Sequence, residues 1–183
     1  MSDQPPAYVS VDIEAAGPSP SRSALLAIGA CLVEDPSHGF YAELQPWSDD
    51  ADPAAMRVHG LSLAELARTG EEPSAALRRL ESWLADELGT RQPVFVGHNA
   101  GFDWMFVADA FHRYLGHNPF GPAPLDTKSF FAGVSGAAWT DTTLAQVAAR
   151  YGLPGSLPHH ALEDARIQAR LFAAMLAESK EGR

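Results

Sequence analysis

Tyr8-Val9-Ser10-Val11-Asp12-Ile13-Glu14 alternates, with Val9, Val11 and Ile13 on one side and Ser10, Asp12 and Glu14 on the other. A period of two is the pleat of a strand with one face in a core. The Gly17-Pro18-Ser19-Pro20 run ends it. Residues 24–33 and 39–44 read as two more strands, so the chain opens as an antiparallel meander. Short helices over 53–58 and 63–68 flank His59-Gly60. Residues 73–88 form a clearer helix, with Ala76, Leu77, Leu80, Trp83, Leu84 and Leu88 on one side. Beyond it lie a short buried strand at 93–96, a helix at 102–114 and a short strand at 123–125. Helices at 142–151 and 160–176 close the chain. Strands first, then strand–helix alternation, predict an α/β fold: a mixed central sheet, meander plus parallel strands, flanked by helices. The expected domain spans 7–177, with flexible ends at 1–6 and 178–183.

The length of 183 residues suits one domain. With 23 acidic and 13 basic side chains the net charge is -10, which disfavours a purely electrostatic nucleic-acid binder. Residues 1–111 hold 17 acids and 6 bases, whereas 112–183 hold 6 acids and 7 bases. The acid-rich stretch 34–52 reads as a solvated face. Cys31 is the only cysteine, which excludes an internal disulfide and a Cys-rich zinc site and suggests a reducing, cytoplasmic setting. The longest largely apolar stretch, 23–33, is too short to span a membrane.

Three places aim carboxylates at the end of the sheet. Asp12 and Glu14 share a strand face, where they raise each other's pKa unless a cation sits between them. Taken alone, such a pair is explained by two solvated side chains. Gly97-His98-Asn99-Ala100-Gly101-Phe102-Asp103 lies where a buried strand gives way to a helix. Asp103 heads an apolar stripe of Val107, Ala110 and Tyr114. His159-His160-Ala161-Leu162-Glu163-Asp164 opens the last helix, and Asp164 heads a stripe of Ile167, Leu171 and Met175. His159 fits the loop before that helix, and spacing leaves His160 as a competing choice. Four clustered carboxylates match the charge of two divalent cations, the arrangement of two-metal phosphoryl transfer, and a nearby histidine can take a proton from water.

These motifs resemble the DEDDh family of 3′–5′ exonucleases, which share a ribonuclease H-like fold. The likeness spans about 7–176. It rests on Asp12-Ile13-Glu14, on Gly97-His98-Asn99 with Phe102-Asp103, and on His159 five residues before Asp164. Asn118-Pro119-Phe120 and Asp126-Thr127 add a likeness to ribonuclease T. The short chain is similar to oligoribonuclease, and more distantly to the proofreading exonuclease of DNA polymerase III. The resemblance implies that Asp12, Glu14, Asp103 and Asp164 hold two divalent cations, Mg²⁺ or Mn²⁺, with His159 as general base. Ala15, Leu25, Leu26 and Asn99 would touch the substrate, Leu25 and Leu26 as a wedge against the terminal base. The main chain of Ala15 and Ala16 would lie near the terminal sugar.

Phe102 and Trp104 are read as core, Asp126 as a cap for a helix from Thr127, and His59-Gly60 as a helix–loop turn. Single-stranded nucleic acid, RNA favoured over DNA, is the expected substrate, and a homodimer the expected assembly. Two features depart from the family: Ala15 stands where threonine is common, and Arg78-Arg79 is the only adjacent basic pair. The alternatives are a DNA repair or proofreading exonuclease, a ribonuclease H-type endonuclease, and a non-catalytic binding module with the same fold.

Overall fold

Strand β1 (Ala7–Ala15) is the spine of the sheet, pairing antiparallel with β2 (Leu25–Leu32) and parallel with β4 (Pro93–Gly97). The computed structural model describes residues 5–181. Strand β3 (Gly39–Glu43) adds antiparallel to β2 and β5 (Leu125–Asp126) parallel to β4, giving the order β3-β2-β1-β4-β5. The expected meander plus parallel strands is this sheet. The short strand predicted at 123–125 lies instead at Leu125–Asp126, because only these residues reach the ladder beside Val96 and Gly97.

One face of the sheet buries Val9, Val11 and Ile13 under α3 (Pro73–Leu88) and α4 (Gly101–Leu115). Leu77, Leu80 and Leu84 of α3 and Phe106, Val107 and Phe111 of α4 complete that core. Helices α1 (Pro53–His59) and α2 (Leu63–Thr69) cover the turn after β1, where Leu66 packs with Ala16, Ala24 and Leu26. The opposite face carries α5 (Thr127–Ser135), a 3₁₀ turn (Trp139–Asp141), α6 (Leu144–Tyr151) and α7 (Ala161–Glu181). The 3₁₀ turn lies in a stretch where the sequence pattern marks no element. Helix α6 begins two residues later than expected, where the Thr143–Gln146 capping box fixes its first turn.

Helix α7 runs past the expected domain end at 177 to Glu181. Arg150 and Tyr151 of α6 both hydrogen-bond Glu178, which ties this last turn to the fold. Residues 1–4 of the expected flexible N-terminus lie outside the described residues, as do 182 and 183.

Helix α7 lies close on the sheet because both surfaces are small. Ala161, Ala165 and Ala169 are fully buried on its inner side, with Gln168, Leu171, Phe172 and Met175. Ile167, expected inward, is only half-buried. The alanines let the helix approach closely, and the larger Leu171, Phe172 and Met175 fill the core on the same side. Beneath it, Asp12 pairs with Gly29 and Gly29 with Tyr41, one cross-strand row on one face. Gly29 has no side chain there, and the main chain of Ala161 and Leu162 fills the space.

Candidate active site

Strand β1 outruns β4. Their ladder ends at Ser10–Val96, so residues 12–15 keep a free edge on that side. Exposed main-chain groups need partners. The Ile13 N–H finds one in Asp103, whose Oδ1 accepts it at 3.1 Å. The first turn of α4 is thereby fastened to the end of β1, and Asp103 is buried beside Asp12 and Glu14. From the other layer, seating α7 over Gly29 brings Asp164 to the same place.

Ligand atoms of Glu14, His159 and Asp164 lie within 4.8 Å of one another. Glu14 and Asp164 are buried, whereas His159 is exposed. His159 has φ 59°, a left-handed conformation uncommon for a side chain of this size. That turn sends consecutive rings to different places. His159 joins the carboxylates, while His160 stacks on Tyr41 at 4.4 Å between centroids. Of the two histidines, His159 is the one whose ring lies with the carboxylates.

The electrostatics are those of a site built for cations. Burial first, then the charges of Asp103, Asp164 and Glu14, raises Asp12 well above the usual carboxylate range. Burial, with Asp164 and Asp103, pushes Glu14 up to about 7. Burial also pushes Asp103 to about 7, against hydrogen bonds from its own main chain and Ile13. Asp164 rises to about 6, again by burial, with His159 and His160 opposing. Its Oδ1 is buried with no hydrogen-bond partner. Crowded acids and an orphaned carboxylate oxygen fit hard, oxygen-seeking divalent cations, which would remove both penalties.

Sequence reasoning passed over Gln168. Its Nε2 donates to Asp12 Oδ1 at 2.6 Å and its Oε1 accepts from the His98 N–H at 2.7 Å. The second bond fixes which end of the amide faces Asp12. One Asp12 oxygen is thus committed and the carboxylate is locked in orientation. Nothing local in the sequence marks a bond joining residues 12, 98 and 168. Gln168→Leu is expected to lower activity and Mn²⁺ affinity by about 10–100-fold, checked by calorimetric titration and initial rates. Unchanged affinity would show that Asp12 holds its orientation without the amide.

His59 ends α1 just before the Gly60 turn, as expected, and its ring reaches the main chain at the end of β1. Its Nδ1 accepts from Leu61 N–H, so Nε2 carries the proton and donates to the Ala15 carbonyl at 3.3 Å. Burial lowers its pKa, against the bond to the Ala15 carbonyl, which favours the protonated ring.

The expected substrate contacts divide. Asn99 is exposed at φ 64°, and its N–H and that of Ala100 donate to Asp126 Oδ1. Asp126 also caps α5 through Lys128 and Ser129 N–H, so it is structural, as expected. Ala15 lies at the irregular end of the β1–β2 ladder. The Ala16 N–H is already spent on Ala24 O, which removes it from the expected sugar contacts. The wedge reading of Leu25 and Leu26 is corrected to core. Leu26 is fully buried beside Leu66, and Leu25, 6% exposed, packs in the main core with Ala15. Phe102 packs on Phe106 and Trp104 on Phe95, both as core.

Comparison with known proteins agrees with this geometry. A family model described as exonuclease matches residues 9–172. The chain is 44% identical to the 3′–5′ DNA exonuclease Cap18 of Escherichia coli, over 95% of each protein. It is 31% identical to ribonuclease T of Marinobacter nauticus, covering 94% of this chain and 83% of that one. Its fold matches the nuclease domain of 3′hExo, a DEDDh family member bound to rAMP. The TM-score there is 0.77 at 15% identity, covering 97% and 94% of the two chains. A sheet whose spine ends in Asp12 and Glu14, met by Asp103 and Asp164 from two helices, is the fold and acidic core that place this chain in the exonuclease family.

Proposed function

We propose that the protein removes nucleotides one at a time from the 3′ end of single-stranded DNA, releasing 5′-mononucleotides. The observation that carries this is the convergence of Asp12, Glu14, Asp103 and Asp164 with His159 at one end of β1. The likeness to a DNA exonuclease at 44% identity supports DNA over the RNA suggested by the ribonuclease T-like segment. No side chain described at the site is assigned to a 2′-hydroxyl, the group that separates the two sugars.

Asp12, Glu14, Asp103 and Asp164 would hold the metal, with Mg²⁺ or Mn²⁺ as the fitting ions. When bound, two such ions supply charge neutralisation and Lewis-acid polarisation at the scissile phosphate. His159 takes the proton of the attacking water at a ring nitrogen. A new O–P bond forms as the bond from phosphorus to the penultimate 3′-oxygen breaks, and that oxygen leaves to be protonated by solvent. Gln168 keeps Asp12 in place, and His59 holds the Ala15 main chain at the edge of the site. The cytoplasmic setting rests on the lone, buried Cys31, and the homodimer on the family likeness alone. Light scattering tests the homodimer.

The deciding experiment is a time course on 5′-labelled single-stranded DNA and RNA of matched sequence, with Mn²⁺ or EDTA, for wild type and Asp164→Asn. The expected result is a metal-dependent 3′ ladder, faster on DNA and at least ~1,000-fold slower in the variant. A faster RNA ladder would reverse the sugar assignment. Cleavage of a circular strand would replace the exonuclease with an endonuclease. No cleavage at any length would favour the binding module.

A further inference from the structure

We propose that Trp139 and Lys128 form a stacking subsite for a base upstream of the 3′ end, resting on the single-strand reading above. Trp139 is 58% exposed, the most open of the large apolar side chains among the described residues. A lone exposed apolar residue is ordinary, but this one is held in place. Its carbonyl accepts from Thr142 Oγ1 at 2.7 Å, and Thr142 is fully buried. The Lys128 ammonium lies 4.4 Å from the ring centroid and takes part in no ion pair among the described residues. An open indole surface beside an unpaired ammonium offers a base a stacking partner and its phosphate a counter-charge.

The platform is coupled to the acidic cluster. Thr127, next to Lys128, hydrogen-bonds His98 Nδ1 through its hydroxyl at 3.0 Å. The His98 ring also bonds the Thr142 main chain, and burial lowers its pKa to about 4, which keeps it neutral. The His98 N–H then reaches Gln168, and Gln168 reaches Asp12. One hydrogen-bonded chain therefore runs from both sides of the platform to the acidic cluster. Trp139 and Lys128 belong to the 112–183 segment, where 6 acids are matched by 7 bases, in contrast to the acid-rich 1–111.

The test is Trp fluorescence with deoxyadenosine oligonucleotides of two to eight residues, in EDTA so that nothing is cut. Wild type should show quenching that grows with length, and Trp139→Ala should lose the length-dependent part. Octamer affinity should fall about tenfold in that variant, dinucleotide affinity should not change, and Trp139→Phe should recover most of the loss. Lys128→Gln should lower the salt slope of octamer binding by about 0.7, one phosphate contact on a single strand. In the cleavage assay KM for the octamer should rise while kcat holds. Equal octamer binding by wild type and Trp139→Ala overturns the subsite and leaves the exonuclease standing. Absence of both binding and cleavage in wild type overturns the exonuclease reading, and the subsite with it.

Discussion

Gly29→Ala is expected to destabilise the protein by about 3 kcal/mol and to cut exonuclease activity at least ~100-fold. Gly29 lies between Asp12 and Tyr41 in one cross-strand row. A Cβ there would overlap the main chain of Ala161 and Leu162, well inside the 3.0 Å that real Cβ contacts respect. A flexible side chain could move aside, but the first turn of a long helix cannot do so alone. Relief requires α7 to lift, and Asp164 and His159 lift with it. Because the helix carries Gln168 as well, the orientation of Asp12 is lost in the same movement. A misplacement of about 1 Å in such a site is worth about 100-fold in rate. The melting temperature should fall by roughly 6–12 °C, given about 2–4 °C per kcal/mol in a chain of this size. Gly133→Ala is the control. It sits in α5 with nothing near its added Cβ, and should be neutral or slightly stabilising. Wild-type melting and activity in Gly29→Ala would mean that α7 does not rest on this glycine.

That dependence also explains what could be read in the sequence and what could not. Alternation over Tyr8–Glu14 is a local signal, and the strand, its buried side and its paired carboxylates follow from it. Asp103 and Asp164 were legible because each heads a helix just after a turn, where a carboxylate must face either the sheet or the water. Gln168 was not, because its partners lie 70 and 156 residues away along the chain. Periodicity placed the inner side of α7 nearly right: Asp164, Leu171 and Met175 are buried there, and only Ile167 is half-buried. What it does not show is that a helix resting on a glycine also lays its alanines against the sheet. Leu25 and Leu26 show the opposite limit. A family resemblance suggested contact with substrate, and packing consumed both side chains.

In EDTA, the melting temperature is expected to fall by several degrees as pH rises from about 4 to about 7, and Mn²⁺ should restore it at neutral pH. The direction follows from the raised carboxylates. Glu14 and Asp103 move up to about 7 and Asp164 to about 6, all above their unfolded values. Between the unfolded and folded pKa values the folded state therefore binds more protons than the unfolded one. The contribution of the cluster is then fully present below about 4 and is lost as pH climbs through the folded values, outweighing the buried His98, which acts in the opposite sense over the same range. This is the reverse of ordinary acid denaturation, and it is confined to the cluster. Cations that bind only the folded protein supply the missing charge and add stability by mass action. Asp12→Asn removes one of the crowded charges, so in EDTA at pH 8 it should melt higher than wild type. The same change should abolish most of the Mn²⁺ response and lower the cleavage rate by ~1,000-fold or more. A variant more stable without metal and inactive with it separates a site that stores charge repulsion for cations from four acids that merely face water. A melting temperature flat with pH in EDTA and blind to Mn²⁺ would sink the two-cation reading.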